Sequence, residues 1–493
     1  MFNLPHAEAH AVILLYSMAF NQPAVPAADE RLCKALETQE AAAALHDLGR
    51  SPDAPASLDA PGLRSIDIRA AATAAMQAPY YNPRALSQEA VHRLLAYAFD
   101  GTRPESRTFQ SVWFASPREA RIRRFFLPTL LLSIFTFMDK RALIIGATGI
   151  VGGNLAQHLL ACGGWKVSGL SRGRTKAPDG VESVTADLTS AKSVKDALQG
   201  QRFSHVYFSA WSRQATEREN IEVNGAMVRH VLDALGPSGK LEHAALVTGL
   251  KHYLGPFEAY AQGNVPLTPF REEQGRQPVD NFYYEQEDRL FEAARRHDFS
   301  WSVHRPHTII GFALGNAMNM GVTLAVYATL CKETGQPFVF PGSVAQWNSL
   351  TDMTDARLLA RHLEWASTSP GARNEDFNVV NGDVFRWKWM WSQLAQYFGI
   401  DPAPFDGETR PLEHRMLDAK RQWADIAGRY QLKEPDIDRL VSWWHTDADL
   451  GRPMEVLTDM SKSRKAGFLD YQPTSDAFFA LFDKLKRERI IPS

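Results

Sequence analysis

Glycine spacing in one stretch constrains this chain more than any other feature: Lys140-Arg141-Ala142-Leu143-Ile144-Ile145-Gly146-Ala147-Thr148-Gly149-Ile150-Val151-Gly152-Gly153. Residues 143–145 read as a short, fully buried strand. Gly146, Gly149 and Gly152 follow at G-x-x-G-x-x-G spacing, and residues 154–160 open a helical pattern. A tight turn out of a strand, with backbone lying against a pyrophosphate, leaves no room for a Cβ. The N–H groups at the helix start then face the phosphates. With a second strand at 165–170, this context predicts a dinucleotide-binding α/β unit.

The bulk numbers set limits. The chain has 493 residues, 45% hydrophobic and 22% charged, which suits a soluble globular protein of two or three domains. A formal net charge of -2 gives no basic footprint for nucleic acid. Cys33, Cys162 and Cys331 lie far apart, with no metal or disulfide spacing among them, which fits a reducing compartment. The apolar run at 11–20 lacks a preceding basic residue, so it makes a poor signal peptide. The run at 125–137 is about 13 residues long and contains Pro128, too short to span a bilayer comfortably. A cytoplasmic protein without stable membrane insertion is expected.

Residues 1–137 differ from the rest. Alanine is frequent, and Pro, Ser and Asp cluster from 51 to 62. Short helices are expected at 28–48 and 87–99. A basic stretch at 118–124 precedes the apolar run, an order that a membrane-surface anchor also shows; a poorly ordered or partly helical extension is the expectation. Met138 stands just before the first strand, where a dinucleotide-binding chain often begins, so Met138 is expected to be the natural start.

From Lys140 strands and helices alternate. Strands are expected at 181–188, 205–211, 244–249 and 301–306, and helices at 190–198, 220–235 and 281–296. This order implies a doubly wound parallel sheet, 138–310, of Rossmann type. Beyond 311 the pattern loosens. Helices at 318–332, 354–366 and 387–398 and a strand at 377–380 predict a smaller mixed α+β cap, 311–493, with some strands returning to the main sheet. Such a cap covers the carboxyl ends of the strands, where ligands of open α/β sheets sit.

The second strand ends in Ser171 and Arg172, about 20 residues after the glycine turn, where an acidic residue would hold the ribose 2′-hydroxyl of NAD. A guanidinium there suits a 2′-phosphate, so NADPH is the expected cofactor. Asp187 and Leu188, after the third strand, stand where the adenine edge is contacted; a cap for the following helix is the other use of Asp187. The fifth strand leads into Thr248-Gly249-Leu250-Lys251-His252-Tyr253-Leu254-Gly255-Pro256-Phe257. A lysine at a strand end is an active-site position by topology. Further on comes Asn281-Phe282-Tyr283-Tyr284-Glu285-Gln286-Glu287-Asp288. Ordinary short-chain dehydrogenases place Tyr-x-x-x-Lys here, phenol and ammonium on one helix face. This chain has Glu287 four residues after Tyr283 and Asp288 four after Tyr284. Its tyrosine must draw a cation from elsewhere, and Lys251 is the candidate.

These two motifs, with Trp301-Ser302-Val303-His304-Arg305-Pro306 and Phe377-Asn378-Val379-Val380-Asn381-Gly382-Asp383-Val384-Phe385-Arg386-Trp387-Lys388, resemble the progesterone 5β-reductase/iridoid synthase-like (PRISE) family of atypical short-chain dehydrogenases. The resemblance covers about 138–493 and leaves out 1–137. It implies NADPH-dependent 1,4-reduction of activated C=C bonds in enones and enals, with Lys251 and Tyr283 as the catalytic pair. The family motif selects Tyr283, whereas ordinary dehydrogenase spacing counted back from Glu292 selects Tyr284. Expected cofactor contacts are Gly146, Thr148, Gly149, Ile150, Val151, Gly152, Ser171, Arg172, Asp187, Leu188, Ser209, Ala210, Thr248, Lys251 and Tyr283. Trp211, Tyr253, Phe257, Phe312, Met318 and Trp347 are apolar candidates for the substrate pocket. Trp387, Trp389 and Trp391 are expected to pack the cap, and His252 and His304 to be structural. No Ser/His/Asp or metal constellation stands out. The expected partner is a small apolar enone or enal; a homodimer is an open option. The alternatives are a carbonyl reductase or epimerase of the extended dehydrogenase type, or a non-catalytic NADP(H)-sensing regulator.

Overall fold

A computed structural model describes residues 6–48, 57–59, 65–69, 71–72, 87–104, 140–173, 177–255, 266–316 and 318–493. The chain divides into two compact units, Met1–Phe137 and Met138–Ser493. The second is built on seven parallel strands: β1 (Lys140–Ile145), β2 (Trp165–Ser171), β3 (Glu182–Thr185), β4 (His205–Phe208), β5 (His243–Val247), β6 (Ser300–Pro306) and, after the two-residue strands β7 (Ile309–Ile310) and β8 (Thr354–Asp355), β9 (Glu375–Val379). Their order across the sheet is β3-β2-β1-β4-β5-β6-β9. The reversal beside β1 opens a crevice at the strands' carboxyl ends, the position where open α/β sheets bind ligands.

Both faces of the sheet are buried because β1 sends successive side chains to opposite sides. Ala142 and Ile144 pack with Leu155 and Leu159 of helix α1 (Ile150–Cys162) and with Leu359 and Leu363 further on. Leu143 and Ile145 pack with Val194 of α2 (Ala191–Leu198), Met227 and Val231 of α3 (Glu217–Leu235) and Leu290 on the same side. A one-turn helix, α4 (Lys251–Leu254), follows β5, and α5 (Phe282–His297) leads into β6. The remaining helices used below are α6 (Met320–Thr334), α7 (Ala356–Thr368), α8 (Trp387–Phe398), α9 (Trp443–Leu450) and α10 (Thr474–Arg487). A separate apolar core joins α6, α8 and α10 through Leu324, Tyr327, Met390, Trp391, Phe478 and Phe482.

Most expected elements form within a residue or two of their predicted ends. The exceptions have local causes. The strand expected at 181–188 closes at Thr185, because Asp187 Oδ1 accepts from Thr189 N at 3.0 Å and turns the chain. The strand expected at 205–211 stops at Phe208, where the chain leaves the sheet toward the crevice. Short helices do occupy the region expected at 28–48, as Pro26–Ala35 and Ala41–Leu48. In this first unit Val12, Tyr16, Phe20, Leu94 and Leu95 form a small apolar cluster. Burial pushes the Tyr16 phenol up to about 12. The predicted basic stretch at 118–124 and apolar run at 125–137 lie outside the described residues. Among the described residues no helix is long and apolar enough to cross a membrane.

Candidate active site

The glycine turn makes a cradle at the end of β1. Gly146 adopts φ +89°, and its N–H donates to Leu170 O at 3.1 Å. A Cβ on Gly152 would lie 2.3 Å from Gly146 O, so glycine there lets α1 approach the strand end. Gly149 is the N-cap of α1, with no side-chain cap and no acidic residue in the first turn. The helix therefore presents its N–H groups and positive dipole end to an anion. Thr148 is half-buried within the turn, and Ser209 Oγ donates to Ile145 O at 2.9 Å, pinning the end of β4 beside it. Ala210 supplies the wall against Gly146: a Cβ there would meet Ala210 Cβ at 3.2 Å. These residues fit a bound dinucleotide.

Ser171 closes β2 and its Oγ accepts from Gly173 N at 3.3 Å; Arg172 next to it is exposed. Asp187 is exposed after β3. Its hydrogen bonds from the Thr189 hydroxyl and N–H hold its carboxyl below the usual range, and Arg172 adds to this. The cap of α2 is Ser190, whose Oγ accepts from Ser193 N at 3.2 Å, so Asp187 does not fill that role. Leu188 is half-buried, with its carbonyl 2.9 Å from His230 Nδ1.

A cavity of about 710 Å³ opens beside the cradle. It brings together Gly149, Ile150, Val151, Ser209, Ala210, Trp211, Thr248, Lys251, Tyr283 and Met318 of the predicted residues. Thr248 N donates to His304 O at 2.8 Å, which fixes the end of β5 before the chain turns into α4 at Lys251. The Lys251 ammonium lies 5.2 Å from the Phe282 ring centroid. Asn281 caps α5: its Oδ1 accepts from Tyr283 N at 3.0 Å, and its Nδ2 donates to Lys251 O at 2.7 Å. Trp211 stacks on Phe282 with ring centroids 5.7 Å apart. The Tyr283 hydroxyl stands 3.3 Å from the point a Cβ on Gly249 would occupy.

Consecutive helix residues diverge by about 100°, so the two tyrosines face different ways. The Tyr284 hydroxyl donates to His252 O at 2.6 Å and accepts from Gln277 N at 2.9 Å. It is buried away from the cavity; Tyr283 is the one that lines it.

Glu287 explains the missing Tyr-x-x-x-Lys lysine. It is 1% exposed and holds Arg276 at 2.9 Å, Arg305 at 3.3 Å and His252 at 3.5 Å. Burial alone would raise its carboxyl; His252, Arg305 and Arg276 together overcome that and hold it below the usual range. Arg305 also pairs with Asp376 at 2.6 Å. The face of α5 that carries lysine in ordinary dehydrogenases here anchors β6 and α4 from beneath.

Three pocket candidates lie elsewhere. Tyr253, two residues past Lys251, points to the other side of α4; it is 1% exposed and donates to Asn378 Oδ1 at 2.7 Å. Phe312 lines a separate groove of about 480 Å³, with the Lys484 ammonium 4.5 Å from its ring centroid. Trp347 packs in the cap, its ring centroid 4.8 Å from Phe405 and 5.0 Å from Phe340. Phe257 lies outside the described residues. Trp387 and Trp391 are buried in the cap core, whereas Trp389 is exposed. His304 is buried between Ser302 at 2.8 Å and His362 at 3.0 Å, a structural position.

Sequence reasoning missed the polar far wall. Arg213 lies over Trp444 at 4.4 Å, and His307, His445, Asp449 and Arg452 also line the cavity. His307 Nδ1 is 2.8 Å from buried Asp352, and its Nε2 lies 2.9 Å from Arg452 Nη1. Asp449 pairs with Arg452 and accepts from Thr308 Oγ1 at 2.5 Å. Single polar residues scattered over three separate stretches of chain gave no signal that the fold would gather them here.

Fold and cavity, together with the relatives given next, make the chain an oxidoreductase of the short-chain dehydrogenase/reductase class. The chain covers 99% of the UDP-glucose 4-epimerase of Thermotoga maritima, solved with UDP-glucose, using 70% of its own length at TM-score 0.51 and 13% identity, a likeness of fold. Residues 182–492 match the PRISE-like Rossmann-fold domain, and the chain belongs to that family. It is 39% identical to the (S)-8-oxocitronellyl enol synthase of Camptotheca acuminata over 71% of this chain and 93% of that one. It is also 39% identical to the 3-oxo-Delta(4,5)-steroid 5-beta-reductase of Arabidopsis thaliana, over 72% of this chain and 94% of that one. Residues 1–99 match a different family, the C-terminal part of Fe-containing alcohol dehydrogenases.

Proposed function

We propose that this chain catalyses the NADPH-dependent 1,4-reduction of the activated C=C bond of an enone or enal. The observation that carries the reading is the shared cavity: Lys251 and Tyr283 line the same space as the uncapped start of α1, while Tyr284 is engaged elsewhere. The names of the curated relatives, an enol synthase and a steroid 5-beta-reductase, support the same chemistry.

The glycine turn and the start of α1 would hold a nicotinamide dinucleotide, which would supply the hydride that the substrate β-carbon accepts. Negative charge then builds on the substrate oxygen. The Tyr283 hydroxyl donates to that oxygen, and the Lys251 ammonium adds a positive field; both interactions strengthen as charge develops, which is what lowers the barrier. Asn281 sets the distance between the two by holding the backbone of each. The enolate takes its proton from solvent. Trp211, Phe282 and Met318 give the substrate an apolar bed. Arg452 and His445 on the far wall favour a substrate with a second polar group several bonds from the reacting carbonyl. Arg172 beside Ser171 favours the 2′-phosphate of NADPH over the hydroxyl of NADH.

Absorbance of NADPH across small and steroidal enones, each beside its saturated ketone, tests the reading. Oxidation with enones only is expected. Oxidation with saturated ketones would assign a carbonyl reductase, and no oxidation with any substrate would leave a regulator.

A further inference from the structure

Helix α1 carries a second cluster at the end far from the cradle. His158 and Cys162 are four residues apart, so their side chains leave the same face of the helix. Glu364 of α7 faces them. His158 Nε2 lies 2.8 Å from Glu364 Oε2, and Cys162 Sγ lies 3.6 Å from His158 Nε2 and 3.7 Å from Glu364 Oε2.

These separations can be compared with a tetrahedral metal site. With Zn–S about 2.3 Å, Zn–N about 2.0–2.1 Å and Zn–O about 2.0–2.2 Å, the ligand atoms stand about 3.5–3.7 Å apart for S···N and S···O, and about 3.3 Å for N···O. Both sulfur distances already match. Only the His158–Glu364 hydrogen bond must open, by roughly half an ångström, to admit an ion. Among the described residues this is the one group of three or more His, Cys, Asp or Glu side chains whose ligand atoms all lie within 4.8 Å of one another. The second Glu364 oxygen accepts from Trp165 Nε1 at 3.3 Å, the kind of outer hydrogen bond that orients a ligating carboxylate. Burial and the Glu364 carboxylate push the Cys162 thiol up, which argues against an activated nucleophile; a bound cation reverses that balance.

We propose that His158, Cys162 and Glu364 bind a borderline-soft divalent ion of the zinc class, with water at the fourth position. A mixed N/S/O donor set selects zinc over the hard cations calcium and magnesium. The ion ties α1 to α7, and α1 is the helix whose first turn faces the dinucleotide cradle. Cysteine spacing alone could not reveal the site, because one ligand is a histidine on the same helix and the third follows 202 residues after Cys162.

Cobalt(II) is the probe. The reduced, metal-free full-length protein is titrated with Co²⁺ and read by near-ultraviolet absorption. The expected result is thiolate-to-cobalt charge transfer that saturates at one equivalent and is displaced by Zn²⁺. It should vanish in Cys162→Ser, persist in Cys33→Ser, and require at least about tenfold more Co²⁺ in His158→Gln and in Glu364→Gln. Circular dichroism checks that each variant is folded; Cys162 is exposed, so Cys162→Ser should be. No saturable band, a band that survives Cys162→Ser, or a band indifferent to both His158→Gln and Glu364→Gln would overturn the proposal.

Discussion

Asn281 Nδ2 donates to the backbone carbonyl of Lys251 across 2.7 Å. The same side chain caps α5 through Tyr283 N, so one residue sets the spacing of an ammonium and a phenol that belong to different elements. Asn281→Ser can keep the cap and lose the tie to Lys251. The cap itself should change by only a few tenths of a kcal/mol, since serine and asparagine cap about equally, and the lost bond to the Lys251 carbonyl should cost about 1 kcal/mol more. Turnover should fall by about tenfold, the order of a misplaced catalytic group. Thermal melts and kcat of the single variant separate the two effects.

The two adjacent tyrosines should fail in opposite ways. Tyr283→Phe should lose most turnover while NADPH still binds. Tyr284→Phe should keep turnover and lose stability by about 1–3 kcal/mol, because Gln277 N and His252 O each lose a buried partner. Denaturant titration and steady-state rates on both variants read this out. Near wild-type rates in Tyr283→Phe with an inactive Tyr284→Phe would exchange the roles.

Glu287 links stability to pH. Its carboxyl is held below the usual range in the folded chain, so its contribution is fully present above the unfolded carboxylate pKa of about 4.3 and is lost as pH falls through the folded value. Melting temperature should therefore drop on acidification below about pH 4 more steeply in the wild type than in Glu287→Gln. Glu287→Lys restores the Tyr-x-x-x-Lys pattern but buries a cation beside Arg276 and Arg305; a loss of about 3–5 kcal/mol is expected, with no gain in rate.

Arg172 is the proposed carrier of a preference for NADPH. Arg172→Ala should weaken NADPH binding by about tenfold or more, the loss of one charge-assisted contact to phosphate, and leave NADH binding nearly unchanged. Fluorescence titration with both cofactors measures the ratio. An equal effect on both would mean that Arg172 is only a solvated surface charge.

A chain beginning at Met138 should fold and keep the full rate, because the described first-unit residues form their own apolar cluster. Circular dichroism and kcat of the shortened chain test this. Failure to fold would give residues 1–137 a structural role.

The sheet was legible because its strands are short apolar runs separated by helix-length segments, and the glycine turn because sterics permit few other residues there. The meeting of Lys251 and Tyr283 at one cavity was legible as a departure: a tyrosine without its usual lysine points to a cation from another loop. Which tyrosine turns inward was not, since adjacent helix positions differ only in direction and the partners Gln277 and His252 are tertiary. Tyr253 was misplaced for the same reason, two residues round a single turn. Asn281 stood in the motif but looked like an ordinary cap. Arg452, Asp449 and His307 became a wall only through folding that joins segments 145 residues apart or less.

Transfer of deuterium from NADPH labelled at the hydride position tests the central claim most directly, with the product analysed by mass spectrometry and NMR. The account predicts one deuterium on the former β-carbon, a saturated bond and an intact carbonyl, with Tyr283→Phe and Lys251→Met each suppressing its formation. Deuterium on the carbonyl carbon, giving an alcohol with the double bond untouched, would contradict it.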